Sequence, residues 1–431
     1  MASVPNDGPE LQLLHRLYRA MLSAADPMKV VPPALPSPPQ GRTVVVALGK
    51  AAAAMARATE LHWPADAPLS GAAVVPHGSA LPLKRLHCLE ASHPVPDHGS
   101  VQAAQHLLAA VRGLTPSDLV LALVSGGGSA LAALPADGVS LQDKQDITRQ
   151  LLRSGAPISE INMVRKHLSA VKGGWLALAA QPARVVTLAI SDVPGDDASL
   201  VASGPTVPDP STCADALAMI ARHGVHIGDA LRDRLAQGAL ETPKPHALRH
   251  VDPPVVVASA RLGLQAAQAE ARAAGWTAHV LSDAIEGEAR DIAAMHAAMA
   301  RHVASRQQPF TPPCVLLSGG EATVTHHGNG RGGRNTEFAL ALLQALQGHA
   351  SVWGLSVGTD GLDGTAGAAG AWVSPALWLA AQQQGLRATE FLSRNDSAGF
   401  FEALGALVHT GPTHTNINDF RALLVGPRAM G

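Results

Sequence analysis

Arg331 and Arg334 stand among glycines in the stretch SGGEATVTHHGNGRGGRNTE, residues 318–337. An apolar run, 314–317, precedes this stretch, and a run with helical spacing begins at Phe338. Gly328, Gly330, Gly332 and Gly333 let backbone approach an anionic ligand with its N–H groups exposed. The arginines fall at the mouth of the helix, where the macrodipole already favours negative charge. Two fixed cations, Arg331 and Arg334, with exposed amides and a helix N-terminus together predict a phosphate or carboxylate site.

Other chemistry-bearing residues read as parts brought to that site. Residues 43–48 form a continuous apolar strand, Gly49-Lys50 is its exit, and 51–59 is a helix, so Lys50 stands at a helix N-terminus. This is no Walker A loop, which needs an upstream glycine and a Ser/Thr after the lysine. A second apolar strand, 119–124, leads into Ser125, Gly126, Gly127, Gly128 and Ser129, a nest suited to phosphate with hydroxyls at both ends. The strand 185–190 ends in Ser191-Asp192, with Asp196 and Asp197 close behind. Carboxylates at a strand end suit magnesium, which accepts one or two and keeps waters; Asp192 is the best placed, and Asp360, after the strand 351–357, is the second candidate. Glu321 likewise follows a strand. His93, just before two prolines in SHPVPD, either contacts a ligand or holds its loop, and Arg165 and Lys166 read as readily as a solvated face as a ligand contact.

The elements that must position these groups alternate between apolar strands and helices, the pattern of parallel sheets covered on both faces. Ligands bind beyond the strand C-termini of such sheets. Lys50, Ser125 to Ser129, Asp192, Glu321 and Asp360 all fall there. Leu11, Leu14, Leu17/Tyr18 and Met21 mark an amphipathic first helix, followed by a proline-rich connector at 30–42. The stretch 240–254, with four prolines, is the expected boundary, and strand–helix alternation restarts at 255–258. The division expected is an N-terminal domain over 1–245 and a C-terminal one over 250–431.

Composition excludes several classes. Of 431 residues, 47% are hydrophobic and 15% charged, and Lys+Arg 32 against Asp+Glu 34 leaves a net charge of -2. That is a compact globular balance, with no bulk field for nucleic acid or anionic lipid. Aromatics at 3% argue against base-stacking surfaces. Cys88, Cys213 and Cys314 give neither a disulfide framework nor a zinc spacing, and Cys314 reads as a buried inert thiol. The start MASVPNDGPE lacks the features of a signal peptide. No uncharged apolar stretch reaches the ~18 residues of a membrane span. A cytoplasmic protein, with no nucleic-acid or membrane partner, is expected; a homo-oligomer is compatible with the sequence, which does not fix its state.

Lysine, arginines, glycine nests and strand-end carboxylates, without an obvious nucleophile–base pair, point to phosphoryl transfer, which needs positioning, cations and magnesium. The rival is a dinucleotide-dependent reductase, because Gly328-x-Gly330-x-x-Gly333 matches the GxGxxG fingerprint. Against it, the motif carries two arginines and lacks an acid at the right distance. A non-catalytic sensor of sugar acids or phosphates would need the anion sites but not Asp192 and Asp360.

INMVRKHLSAVKGG, ISDVPGDDASLVASGPT, GRGGRNTEFALA, GTDGLDG and TGPTHTNIND together resemble the glycerate 2-kinases of the MOFRL type, in order from about residue 10 to 428. The resemblance implies two α/β domains, a Rossmann-like N-terminal one and a smaller C-terminal one, with the active site in the cleft between them. It further implies ATP-dependent phosphorylation of D-glycerate at its 2-hydroxyl, with magnesium, and makes Lys50 and Arg334 the active-site cations. Relatives are sometimes named hydroxypyruvate reductase, so NAD(P)H-dependent reduction is the alternative. The sequence departs from the family pattern at Thr336, where glutamine is usual, at Gly367, where an aspartate is expected, and at His414, which replaces a common glycine. The full expectation is Lys50, Arg334 and Asp192 in catalysis. Ser125, Gly126, Gly127, Gly128, Ser129, Gly330, Gly332, Gly333 and Glu321 bind substrate or phosphate, and Asp192 and Asp360 hold the metal.

Overall fold

The computed structural model of the chain describes residues 8–426. Most of the N-terminal stretch read above as lacking a leader therefore lies outside the described residues, as do 427–431. The chain divides into two compact units.

One unit spans 27–192 and 196–257. Its sheet holds β1 (Thr43–Leu48), β2 (Leu69–Pro76), β3 (His87–Ala91), β4 (Leu119–Ser125), β5 (Arg184–Ile190) and β6 (Val255–Ala258), in the order β3-β2-β1-β4-β5-β6. The β3/β2, β2/β1, β1/β4 and β4/β5 pairs are parallel, and every residue of β1 and β4 is buried. Such strands are apolar throughout because helices cover both faces. This is the doubly wound, Rossmann-like order, which reverses between β1 and β4; ligands of such sheets bind at that switch point. A second, helical core lies in the same unit. Ile147, Leu151, Ile161, Val164, Ile220 and Leu235 pack together from four helices, Leu141–Arg153, Ile158–His167, Cys213–Arg222 and Asp229–Ala236.

The strand at 255–258, expected to open the second domain, instead becomes β6 beside β5. The approach to it is tied down first: Val185 donates its N–H to His250 O at 2.8 Å and accepts from Asp252 N at 2.9 Å. A short apolar strand looks the same in sequence whichever sheet takes it.

The other unit comprises residues up to Asp26, Val193–Gly195 and everything from Ala258. Its sheet contains β7 (Thr277–Ser282), β9 (Cys314–Gly320), β11 (Val352–Gly358), β12 (Gly370–Val373), β13 (Leu407–Val408) and β14 (Asp419–Val425), in the order β13-β12-β11-β14-β9-β7. β8 (Gly287–Glu288) and β10 (Ala322–Thr323) form a separate parallel ladder. Only β7/β9 is parallel within the larger sheet, where parallel pairing throughout was expected. The chain returns through its last polar turn and inserts β14 between β11 and β9, antiparallel to both.

The first helix, Pro9–Ala24, belongs to this second unit and not to the domain expected over 1–245. Its apolar stripe explains the choice: Tyr18 stacks on Phe420 at 6.0 Å and donates to Gly358 O at 2.8 Å. Met21 packs against Gly263, where a Cβ would come within 2.8 Å of its Cγ. Among the described residues no helix is long and apolar enough to cross a membrane.

Candidate functional site

Lys50 leaves β1 and Ser125 leaves β4, the two strands that flank the switch point. Gly49 makes their approach possible: its φ is +124°, and a Cβ there would lie 2.2 Å from Ser125 Oγ. The two exits are stitched by Lys50 N–H donating to Gly126 O at 2.8 Å and Ala51 N–H to Ser125 Oγ at 3.1 Å. Ser125 is fully buried, so its hydroxyl holds the turn and is not presented to a ligand.

Gly126, Gly127 and Gly128 are each crowded by a different neighbour. A Cβ on Gly126 would fall 1.7 Å from Asp192 Oδ2, and one on Gly127 would lie 3.3 Å from Lys50 Cγ and 3.2 Å from the His93 ring. On Gly128 it would meet Ala202 Cβ at 2.6 Å. The glycines therefore bring Lys50, His93 and Asp192 around one loop. Gly127, left-handed at φ 82°, turns the chain into the short helix Gly128–Leu131. The amides of Gly127, Gly128 and Ser129 have no acceptor among the described residues. Asp197 caps its own turn, accepting from Ser199 N–H at 2.8 Å.

In the second unit Arg334 is the first residue of the helix Arg334–Leu346. Its Nε donates to Asp419 Oδ1 at 2.8 Å and an Nη to Glu321 Oε1 at 2.6 Å. Burial opposes its charge, but Asp419 and Glu321 outweigh that and hold the guanidinium firmly protonated. Asp419, fully buried, also accepts from Arg421 at 2.8 Å and Asn335 at 3.0 Å. Glu321, expected to bind substrate or phosphate, is thus a partner that aims Arg334; a carboxylate is a poor neighbour for phosphate in any other role.

The glycine loop before this helix differs from its expectation. Gly328 N–H donates to Asn395 Oδ1, Gly330 to Arg394 O, Gly332 to Thr365 Oγ1 and Gly333 to Thr336 Oγ1, all at 2.9 to 3.1 Å. Cβ atoms at Gly330 and Gly332 would strike Asp396 and Ser397 at 2.4 and 2.3 Å. These glycines serve close packing of one segment on another, and their amides are satisfied. The helix N-terminus has an anion of its own: Asp363 accepts from Asn335 N–H at 2.9 Å and from Thr336 N–H and Oγ1 at 2.8 Å. Burial pushes the Asp363 carboxyl up against those hydrogen bonds. The apparent GxGxxG match is therefore a packing motif, and β1 in the Rossmann-order sheet lacks one. Asp360 accepts from Leu362 N–H at 3.1 Å in its own turn.

Among the departures noted in the sequence, Thr336 completes the cap with Asp363. A Cβ on Gly367 would meet nothing within 4 Å, and His414 holds φ 58°, which explains why glycine suits that position. Cys314 is buried, and burial pushes its thiol up to about 11, as expected of an inert cysteine. Ligand atoms of His167, Cys213 and Glu241 lie within 4.8 Å of one another, but the Lys244 ammonium sits 2.5 Å from Glu241 and already balances that carboxylate.

Sequence reading did not single out Asp419 or Asp363, although both lie in motifs named above; acids after a strand or in a turn carry no local mark of which arginine or helix they serve. Lys166, which the sequence leaves open between a solvated face and a ligand contact, is buried and paired with Asp209 at 3.5 Å.

A Rossmann-order sheet with a lysine at its switch point, together with a mixed sheet carrying a braced arginine, defines a two-domain α/β protein built to handle anions. Residues 314–419 match the MOFRL family and residues 13–236 a domain of unknown function, DUF4147. The chain belongs to the MOFRL-type glycerate 2-kinase family and is a kinase. It is 38% identical to a D-glycerate 2-kinase of Thermotoga maritima over 96% of this chain and 97% of that one. A crystal structure of the glycerate kinase from Thermotoga maritima superposes with a TM-score of 0.86 at 37% identity, covering 96% of this chain and 99% of that chain. A protein of Agrobacterium vitis named a putative hydroxypyruvate reductase is 49% identical over 98% of this chain and 96% of its own length.

Proposed function

We propose that the chain is a cytoplasmic kinase that transfers the γ-phosphoryl group of ATP to the 2-hydroxyl of D-glycerate. The observation that carries this reading is Lys50 at the β1/β4 switch point, beside the unpartnered amides that follow β4. Phosphoryl transfer is almost entirely positioning and electrostatic stabilisation, with charge spread over three equatorial oxygens. Lys50 and the amides of Gly127, Gly128 and Ser129 answer that charge in one unit. Arg334, aimed by Asp419 and Glu321, supplies a second fixed cation for a carboxylate or phosphoryl oxygen. A loose transition state needs little early proton removal, so a strong base is not required; Asp192 is the candidate if one acts.

Asp192 is also the candidate to hold a magnesium ion, since magnesium accepts one or two carboxylates and keeps phosphate oxygens and water as its other ligands. Asp360 is the second candidate. Bound there, magnesium would neutralise charge on the transferring phosphate.

Incubation with ATP, magnesium and D-glycerate followed by phosphorus NMR tests the reading. Formation of 2-phosphoglycerate is expected, and Lys50→Ala and Arg334→Ala are expected to lower turnover by at least about 100-fold while the protein stays folded. No phosphorylated product, with NADH or NADPH oxidised on addition of hydroxypyruvate, would establish the reductase instead.

A further inference from the structure

Behind the loop that follows β4 lies a cluster of cations that the roles above do not use. Lys172 is 3% exposed, and its ammonium donates to Ser129 O and Ala132 O, each at 2.8 Å. Lys144 is 7% exposed and donates to Leu168 O at 2.8 Å. Arg165, on the helix Ile158–His167, is only partly buried and reaches Thr148 Oγ1 with its Nε at 3.5 Å. No carboxylate among the described residues pairs with any of the three, whereas the adjacent Lys166 has Asp209. Burial and mutual repulsion draw the Lys144 ammonium down to about 7 and Lys172 well below its usual range.

Buried cations are ordinarily paired or neutralised, since an isolated charge in a protein interior is costly. Three near one another, without an acid, mark a place where the ligand supplies the negative charge. The surrounding backbone agrees. Ser129 Oγ lies 2.6 Å from Ser203 Oγ, and Ser203 donates to Asn162 Oδ1 at 3.1 Å, one helical turn before Arg165. Ala202 and Ser203 hold left-handed φ of 51° and 60°, a strain that non-glycine residues rarely carry. That strained turn presses on Gly128 of the β4 loop, where a Cβ would meet Ala202 at 2.6 Å. The cluster is therefore fastened to the loop that lies beside Lys50.

We propose that Lys144, Arg165 and Lys172 form an anion-binding site for a carboxylate or phosphate of the reactants, with Arg165 making the direct contact. The two lysines have spent donors on carbonyls, and a bound anion would restore the charge that burial disfavours. Arg165 keeps terminal N–H groups without acceptors among the described residues, in the planar fork that matches a carboxylate or phosphate bidentately. Which reactant provides the anion rests on the kinase reading; the existence of the site does not.

The test uses the full chain with Arg165→Ala and Arg165→Lys, measuring steady-state kinetics and, by calorimetry, binding of ATP, D-glycerate and inorganic phosphate separately. Arg165→Ala is expected to raise KM for one reactant by about 10- to 100-fold, with the matching loss of affinity in calorimetry. An effect confined to D-glycerate identifies its carboxylate as the anion, and one confined to ATP identifies its phosphates. If Arg165→Ala does not fold, Arg165→Lys, which keeps charge without the fork, is to show the same selective rise of at least about fivefold. Wild-type protein that fails to phosphorylate D-glycerate but binds inorganic phosphate, with binding lost in the variants, would overturn the kinase reading and keep the site. Unchanged KM values and unchanged phosphate binding in folded variants would overturn the site.

Discussion

At the scale of single residues, placement in this chain depends on atoms that are missing as much as on those present. The carboxylate of Asp192 occupies the space a side chain at Gly126 would fill, with a Cβ there only 1.7 Å from Oδ2. Such an overlap cannot be absorbed by a small rotation, so Gly126→Ala must displace Asp192 or the loop. A displacement of about 1 Å at a positioned group costs roughly 100-fold in rate. We therefore expect Gly126→Ala to keep its circular dichroism spectrum and lose about 100-fold in kcat/KM. A folded variant within threefold of the natural protein would remove Asp192 from the reaction. The braced Arg334 makes the complementary point: its two carboxylate partners fix where its charge is delivered, which a free surface arginine would not do.

At the scale of elements, the helix Arg334–Leu346 begins where it does because Asp363 takes the first amides and Thr336 completes the cap. Asp363→Ala leaves those buried donors without an acceptor, a loss of about 2 kcal/mol. It also loosens the turn that carries Arg334. Chemical denaturation is expected to show that loss, accompanied by reduced kcat/KM. Asp363→Asn should recover more than half of it, since an acceptor returns and the buried charge disappears. Equal denaturation midpoints for Asp363→Ala and the natural chain would show that the cap contributes nothing. This element also shows what local sequence conveys. β1, β4 and β5 were legible as unbroken apolar runs, and with them the strand-end positions of Lys50 and Asp192. The loop 328–333 was legible as glycine-rich but misread in purpose, because a glycine that admits phosphate and one that admits a neighbouring backbone have the same composition. In the sequence Arg165 stays open between a solvated face and a ligand contact, because helical spacing does not reveal which face another element will bury, and Lys172, in a turn, was not singled out. β14 went unrecognised, since nothing in the short stretch DFRALLV, with an acid and an arginine among its apolar residues, announces that it will enter the middle of a sheet.

At the scale of the whole molecule, chain order and unit membership part company. Residues 258–426 form nearly all of the second unit, yet its surface is completed by a helix from the opposite end of the chain. Leu11, Leu14, Leu17, Tyr18 and Met21 are all buried, and burying each large apolar side chain is worth about 1.5–3 kcal/mol. That gross gain is comparable to the total stability of a typical domain, about 5–15 kcal/mol, and it is what offsets the entropy of ordering the helix. The MOFRL match at 314–419 therefore falls within a unit that also includes the first helix. A fragment of residues 258–431 is expected to aggregate or bind hydrophobic dye, with the face that receives Tyr18 and Met21 exposed. The same fragment with residues 8–26 fused through a flexible linker is expected to be soluble and to melt cooperatively. Replacing Leu14, Leu17 and Met21 by serine in that fusion should return it to the behaviour of the bare fragment. A bare fragment that melts at the same temperature as the fusion would mean that the helix merely rests on a unit already complete without it.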